Sequence, residues 1–449
     1  MGGARVLPDL GTIVKGRYGV YCLNRIIGKG GNGAVYEANV NNKTDNVLLE
    51  DAYAIKVLVV EPNEKKELIK RRARFKKEIE QVVIIQNIID GIVPIYDTSF
   101  WCEGDSDHIL WYLMPKAEIC QFKAYSSEQK LKSMLELGNC LKQLHDLGYA
   151  HRDIKPKNLL IYKNRVCLSD FGLVWNVDDT EEHITEINDR LGPMAIRPPE
   201  LQPVENLDGV DYRASDVYLF AKTVWMVLKS DNHGFPREYN RAFPEICIKK
   251  DLLQCETIEP LHIMMEGATK HNYWERISID DCIKHLENQL KVLQGKISKT
   301  ILNGWKYAEQ VASINDNVTC DETVYKDAEA VFRILRSLAG ISTLTFIEQG
   351  EMCCVIPFKK VQFQGNRIYT FEVNNPYNGG KRKTIGVAVS EIHKMKDKSF
   401  EIYLSTIPDS NRVGPKYGKV TQALQNTAKQ VYLEGNYLIR ITNMERCDE

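Results

Sequence analysis

Between positions 151 and 172 the chain reads HRDIKPKNLLIYKNRVCLSDFG. Asp153 is followed two residues later by Lys155 and three further on by Asn158. An apolar run then leads to Asp170-Phe171-Gly172. Two carboxylates, one amide and one ammonium in this order suit phosphoryl transfer, a reaction that asks a protein mainly for positioning and charge neutralisation. One acid can orient an incoming hydroxyl, while the other acid and the amide hold a metal–nucleotide complex. A lone Asp or Asn in such a loop is commonly a turn residue. Four groups at these spacings are not explained that way.

Taken together, HRDxKxxN and the DFG that follows resemble the catalytic and magnesium loops of eukaryotic-type (Hanks-type) serine/threonine protein kinases. The resemblance implies that Asp153 accepts or orients the substrate hydroxyl proton and that Lys155 neutralises the moving γ-phosphate. It implies Asn158 and Asp170 as metal ligands, with ATP and Mg2+ (or Mn2+) as cofactors. Lys at position 155 is the serine/threonine pattern; tyrosine kinases usually carry an Ala and Arg pattern there. Small-molecule kinases of related fold usually lack this Arg-Asp-x-Lys order, so the implied acceptor is a protein hydroxyl.

These groups need a frame. Residues 18–60 alternate apolar and polar positions in three runs and predict three antiparallel strands. Between the first two lies Gly28-Lys29-Gly30-Gly31-Asn32-Gly33-Ala34-Val35, a GxGxxGxV turn whose glycines let backbone N–H groups close over phosphates. Alone it is a weak signal, because flexible Gly-rich hairpin tips are common. Tyr53-Ala54-Ile55-Lys56 is similar to the family's V-A-I-K strand. An inward Lys56 needs a counter-charge, and Glu78, in a helix expected over residues 64–88, has the spacing of the family's ion-pairing Glu. The basic run from Lys65 to Lys77 on that helix is read as a solvated face. Two more strands are expected at Ile92–Asp97 and His108–Met114, joined by a polar tip from Glu103 to Asp107. The resemblance then makes Met114 the gatekeeper and lets a purine bond the Pro115 carbonyl and the Ala117 backbone. Proline has no N–H to give, and at Pro115 none is required. Leu160 is implied below the adenine, with Val35 and Ala54 above. A 3.6-residue apolar pattern predicts a helix from Ser126 to Gly148, which delivers Tyr149-Ala150 into the loop.

Past Gly172 the pattern departs from the family. Gly192 to Glu200 reads GPMAIRPPE where the family shows GTxxYxAPE, so Pro193 replaces a Thr whose hydroxyl ties the catalytic Asp and Lys together. Variation here occurs among bacterial-looking members. Glu200 is expected to pair with Arg276, and Asp216 to be a scaffold residue bonded to the HRD backbone. Arg152 makes the loop one that a charge on the activation segment can order. Thr180 and Thr185 are candidate phosphosites; Asp189, aligned with a commonly phosphorylated Thr, reads first as a solvated loop residue and second as a phosphate mimic.

The resemblance covers residues 18–293, with a small lobe at 18–114 and a large lobe at 118–293. The expected fold is α+β: a bilobal kinase with a β-rich small lobe and a helical large lobe, then a smaller α+β domain at 300–449. In that last third Asp321–Leu338 and Pro415–Leu433 read as helices. Ser342–Ile347, Met352–Pro357, Arg367–Val373, Thr384–Ser390, Phe400–Ser405 and Tyr437–Ile441 read as strands of a small antiparallel sheet. Lys381-Arg382-Lys383, beside an Asn-Gly-Gly turn, reads as a solvated hairpin tip.

With 449 residues the chain is expected to form two or three domains. A formal net charge of −1 gives no field that would draw it to nucleic acid or a membrane surface. No apolar run approaches the roughly 20 residues of a membrane span, and MGGARVLPDL lacks the apolar core of a secretory signal. The 12 cysteines form no CxxC pair and predict buried thiols in a reducing, cytoplasmic setting, with no zinc. The expectation is an ATP-dependent protein serine/threonine kinase that autophosphorylates and carries a C-terminal module binding a protein or ligand partner. The rivals are a pseudokinase scaffold and a small-molecule kinase.

Overall fold

The structure is a computed structural model and describes residues 7–29, 33–43, 50, 52–58, 65–101, 109–177, 196–201, 210–313, 323–348, 351–364, 367–374, 382–397, 399–404, 419–422, 430–434 and 437–443. It divides into two compact units, one of Met1–Asn240 with Leu261–Leu290 and one of Arg241–Pro260 with Lys291–Glu449.

The first unit opens with a six-stranded sheet in the order β1-β2-β3-β4-β6-β5. Its strands are β1 (Ile13–Lys15), β2 (Gly19–Lys29), β3 (Gly33–Lys43), β4 (Tyr53–Leu58), β5 (Asp97–Thr98) and β6 (Trp111–Pro115). Alternation along β2 and β3 buries Tyr21, Leu23, Tyr36 and Ala38 in one core with Ile55, Val57, Trp111 and Leu113. The three predicted strands of residues 18–60 are β2, β3 and β4; β1 adds an outer edge. Expected strand Ile92–Asp97 shrinks to Asp97 with Thr98. Pro94 has no N–H for a ladder, and the backbone of Ile95 is instead bonded by Gln86, whose Oε1 accepts its N–H at 2.7 Å and whose Nε2 donates to its carbonyl at 3.2 Å. Asp97 is fully buried and accepts from the N–H groups of Arg17 and Tyr18 and from the Tyr21 hydroxyl (2.6 Å), so it pins the β1–β2 turn. His108 and the Glu103–Asp107 tip lie outside the described residues.

Helix α1 (Lys65–Ile85) packs on β4. After β7 (Glu118–Ile119) comes α2 (Ser127–Asp146), started by a capping box in which the Ser126 hydroxyl accepts from the Gln129 N–H and the Gln129 side chain accepts from the Ser126 N–H. Gly148, at φ +79°, makes the left-handed exit that turns the chain into β8 (Tyr149–Ala150). Strands β9 (Leu159–Tyr162) and β10 (Arg165–Leu168) form a hairpin, and β11 (Trp175–Asn176) pairs with β8. Behind the loop runs α3 (Tyr212–Lys229), buried almost all round. Then follow α4 (Lys250–Leu253), which belongs to the second unit, α5 (Glu259–Ala268) and α6 (Ile279–Leu293), the last being the helix expected at 280–293.

The second unit contains α7 (Lys299–Ser313), a helix absent from the expectation. Its Tyr307 and Val311 enter the core of the C-terminal strands, and Tyr307 donates to the Ile441 carbonyl at 3.1 Å. Its Glu309 accepts from the Thr257 hydroxyl at 2.5 Å, and Lys306 pairs with Glu256. The segment Arg241–Pro260 is thereby held by this helix.

The expected helix from Asp321 starts only at α8 (Ala328–Leu338), where Asp327 caps the Ala330 N–H at 2.9 Å. Thr323–Tyr325, whose three residues are all β-branched or aromatic in favour of extended chain, is strand β12. The remaining strands are β13 (Ser342–Glu348), β14 (Glu351–Phe363), β15 (Ile368–Asn374), β16 (Arg382–Lys394), β17 (Phe400–Leu404), β18 (Lys419–Gln422), β19 (Gln430–Glu434) and β20 (Tyr437–Asn443). Each of β13 to β16 pairs with the next, β17 pairs with β20, and β20 returns to β13. The six ladders close on themselves, which removes the open edges a flat sheet would leave. Positions 331, 334, 335 and 338 of α8 contribute one helical face to the enclosed core. Pro415–Leu433 is not a helix where described: Lys419–Gln422 and Gln430–Glu434 are an antiparallel hairpin, and β19 lies parallel to β16. Val420, Thr421, Val431 and Tyr432 are strand formers, and this local preference outweighs the helical spacing. The Asn378-Gly379-Gly380 turn, Lys381 and Ser405 lie outside the described residues.

Candidate active site

Strand alternation places Val35, Ala54, Lys56 and Met114 on one face of the small sheet, because Val35 lies opposite Lys56 and Ala54 opposite Met114 in register. Tyr112 faces Lys56 in the same row. Ala54 is buried, while Val35, Met114 and Leu160 are half-buried. At Gly33 a Cβ would stand 2.8 Å from the Val57 carbonyl, so no side chain fits there; at Gly28 it would make only ordinary contact with Val35. Gly30, with Gly31 and Asn32, lies outside the described residues. At the Pro115 end the Ala117 N–H donates to the Pro115 carbonyl at 3.0 Å. A purine bonding both groups would replace that bond.

Lys56 Nζ bonds Glu78 Oε1 at 2.7 Å and Asp170 Oδ1 at 3.0 Å. Glu78 reaches it because α1 turns this residue inward, with Phe75 and Ile79, while Glu80 points to solvent. Side-chain exposure is 10% for Lys56, 4% for Glu78 and 44% for Asp170, so the pair is buried and the third carboxylate is open. Burial opposes charge on Lys56, but Asp170 and Glu78 outweigh it and hold the ammonium well above its ordinary range. Burial pushes Glu78 up against the pull of Lys56, whereas Lys56 draws Asp170 down. Tyr112 donates to Glu78 Oε1 at 2.9 Å; the sequence reading missed this residue, and only the β4–β6 register could have revealed it.

In the loop, Lys155 Nζ lies 2.7 and 2.6 Å from the two carboxylate oxygens of Asp153. Asn158 donates through Nδ2 to the Asp153 carbonyl (2.8 Å) and to its Oδ2 (3.0 Å). The loop is held from behind by Asp216, fully buried, which accepts the N–H groups of His151 and Arg152, each at 2.7 Å. Asp170 itself has φ +66°, a conformation an ordinary residue adopts only under constraint. Phe171 packs edge-on against the buried His151 ring at 4.7 Å. Glu200 meets Arg276 in a bidentate pair at 2.6 and 2.7 Å, and Ser215 donates to the same carboxylate at 2.6 Å. The Ser169 hydroxyl donates to the Asn158 carbonyl at 3.0 Å. Thr180, Thr185, Asp189, Gly192 and Pro193 lie outside the described residues.

The donor set fits a hard cation that shares its coordination with phosphates. Asn158 has committed its nitrogen and keeps Oδ1; Asp170 has bonded one oxygen to Lys56 and keeps Oδ2. Among the described residues no group of three or more His, Cys, Asp or Glu is arranged to hold a metal alone. One carboxylate and one amide oxygen suit magnesium, which takes few protein ligands when phosphates and water complete its octahedron.

Residues 21–286 match the family model of the protein kinase domain. The chain belongs to the protein kinase family. The probable serine/threonine-protein kinase ireA of Dictyostelium discoideum is 33% identical over 35% of this chain and 16% of its own length. The serine/threonine-protein kinase PrkC of Bacillus subtilis is 27% identical over 49% of this chain and 31% of its own. A tyrosine-protein kinase receptor of Danio rerio is 24% identical over 62% of this chain and 32% of its own. The chain thus spans a third or less of the length of these relatives. The bilobal α+β kinase fold is present, and the C-terminal strands lie beyond the family match. Among the described residues no helix is long and apolar enough to cross a membrane.

Proposed function

We propose that this kinase is an ATP- and magnesium-dependent protein serine/threonine kinase, with manganese as an alternative metal. The observation that carries the reading is the convergence of Lys56, Glu78 and Asp170 in one bonded group, together with Asp153, Lys155 and Asn158 in another. Asp153 orients the acceptor hydroxyl and takes its proton at a carboxylate oxygen. Lys155, in contact with Asp153, neutralises charge on the transferred phosphoryl group. Lys56, kept charged and fixed by Glu78, holds the nucleotide phosphates, with Gly28, Gly30 and Gly33 closing over them. Val35, Ala54 and Leu160 enclose the base, Met114 bounds the pocket, and Pro115 and Ala117 offer backbone bonds. Asn158 Oδ1 and Asp170 would hold the metal, which when bound would neutralise phosphate charge. Lys155 supports Ser or Thr as acceptor.

The C-terminal residues 300–449, read as an accessory domain that follows a kinase domain at 18–293 in the chain, serve to bind a protein or ligand partner that controls or targets transfer. Cytoplasmic residence is supported by the free thiols of Cys22, Cys120, Cys140, Cys167, Cys247, Cys255 and Cys282, which suit a reducing compartment. The test is incorporation of labelled γ-phosphate into the protein and into a generic Ser/Thr acceptor. Wild type is compared with Asp153→Ala and Asp170→Ala, with and without magnesium. Phosphoserine or phosphothreonine that vanishes in both variants and on chelation is the expected result. Nucleotide binding without any transfer makes the chain a scaffold; phosphotyrosine alone overturns the acceptor assignment.

A further inference from the structure

Arg152 is the residue that a charge on the activation segment would be expected to recruit. In the structure its guanidinium is already engaged. Arg152 is 6% exposed, at φ +63°, with its N–H on Asp216 and its Nε donating to the Leu173 carbonyl at 2.7 Å. The guanidinium carbon lies 4.9 Å from the centroid of the Tyr212 ring, and the two side chains also hydrogen-bond. Burying a cation is costly unless it is compensated, and Asp216 acts on Arg152 as an opposite charge. An aromatic face offers part of the compensation, and a planar guanidinium is the cation best shaped for it.

Tyr212 is itself firmly placed. It is the first residue of α3, directly after Asp211, whose carboxylate caps the Arg213 N–H at 3.0 Å, and it is 2% exposed. Trp175 stands edge-on to it with ring centroids 5.1 Å apart, and Trp175 pairs with Ala150 in the β8–β11 ladder. Ala150, Leu201 and Tyr212 form one buried cluster, with Trp175 packed against it. A single ring therefore touches the catalytic loop through Arg152 and the chain just past Gly172 through Trp175. Arg74 of α1 acts on Arg152 as a like charge.

We infer that Tyr212 is a positioning residue which, by seating Arg152 between its ring and the Leu173 carbonyl, orders the Asp153 loop without requiring a phosphate on the activation segment. The inference rests on the kinase reading for its kinetic consequence, but not for its structural one. Asp153 follows Arg152 directly, so a loosened Arg152 misplaces the acceptor hydroxyl while leaving the nucleotide contacts of Lys56 and Asp170 intact.

The experiment uses the full chain as wild type, Tyr212→Phe and Tyr212→Leu, each before and after phosphatase treatment, with Arg152→Lys as a second route to the same loss. Phosphate transfer is resolved into kcat and KM for ATP, and amide hydrogen exchange is followed over residues 151–158. Loss of a cation–aromatic contact predicts that Tyr212→Leu lowers kcat by about threefold to thirtyfold, with KM for ATP unchanged and exchange at 151–158 faster. Tyr212→Phe keeps the ring but loses the hydroxyl bonded to Arg152, so its kcat falls between wild type and Tyr212→Leu. Arg152→Lys keeps the charge but loses the planar stack and repeats the Leu result, even where Tyr212→Leu fails to fold. Phosphatase changes wild-type kcat by less than about threefold. A larger fall in wild type on dephosphorylation, or a Leu variant equal to wild type in kcat and exchange, overturns the inference. Absence of transfer in wild type refutes the kinase reading alone, and the exchange measurement still decides the role of Tyr212.

Discussion

Replacing Glu78 by Gln probes the buried ion pair without changing its shape. The Glu78 carboxylate receives Lys56 at 2.7 Å and the Tyr112 hydroxyl at 2.9 Å, and the amide keeps one oxygen for these donors. What disappears is charge. Removing one member of a buried pair generally costs about 3–5 kcal/mol, but Asp170 remains 3.0 Å from Lys56 and supplies a second counter-charge. Roughly half the penalty, about 2 kcal/mol, is therefore expected in transition-state stabilisation, or about thirtyfold in kcat/KM for ATP. Lys56 will lean on Asp170, so the magnesium concentration giving half-maximal rate should rise as well. The fold should not suffer in proportion, because burial already pushes Glu78 up and the amide escapes that desolvation. Initial rates of labelled phosphate transfer across ATP and magnesium titrations provide the measurement, beside thermal melting and a double-mutant cycle with Lys56→Met. A Glu78→Gln enzyme within about threefold of wild type, or effects that add independently in the cycle, would refute the coupling argued from this geometry.

Lys222 of α3 is fully buried, donates to the Phe235 carbonyl at 2.8 Å and to the Arg237 carbonyl, and is pushed down to about 6 by burial. Between that value and the ordinary 10.5 the unfolded chain holds a proton the folded chain lacks, so stability rises with pH across this window. The contribution from pH 7 to pH 9 approaches about 3 kcal/mol; urea midpoints should climb in wild type and climb less in Lys222→Met, and equal slopes would contradict the assignment. Gly234→Ala meets a φ of +74° and a Cβ position 2.4 Å from Ile196 Cγ2, so a loss of about 1–3 kcal/mol is expected by thermal or urea unfolding. Adding Ile196→Ala should relieve the clash and leave the backbone part. Tyr307→Phe removes the hydroxyl that bonds the Ile441 carbonyl and should cost about 1 kcal/mol, seen as faster amide exchange along β20 and not as a change in phosphate transfer.

The chemical core of the site was legible because it is local in the chain. Asp153, Lys155 and Asn158 sit within six residues, and Asp170 follows a single hairpin, so spacing alone brings them together. Lys56 and Glu78 came from a strand motif and a helical spacing, and their pairing needed only the rule that a buried ammonium finds a carboxylate. Tyr112 and Tyr212 were not legible. The first depends on which residue of β6 lies opposite Lys56, and the second on where the start of α3 meets a loop sixty residues earlier. Short apolar alternation located most C-terminal strands, yet it carries no record of which strand pairs with which. The return of β20 to β13 and the parallel addition of β19 are long-range choices. Thr323–Tyr325, Lys419–Gln422 and residues 430–433 were misread for a related reason, since apolar spacing over a few residues fits a helix or a strand until a partner is present.

The two bonded groups also differ in what holds them, and this orders the ways the site can fail. The Asp153 group is anchored by backbone donors to Asp216, by the Arg152 stack and by the Lys155 and Asn158 contacts, all within the large lobe. The Lys56 group depends on three separate elements, β4, α1 and the Asp170 turn, meeting at one ammonium. Moving α1 outward by a few ångströms removes Glu78 and leaves Asp170 to neutralise Lys56 alone, which takes from the metal the oxygen it needs. Perturbations near α1 should therefore act first on ATP and magnesium dependence, while perturbations near α3 act first on kcat at saturating nucleotide. A variant of α1 that lowered kcat alone would contradict this division of roles.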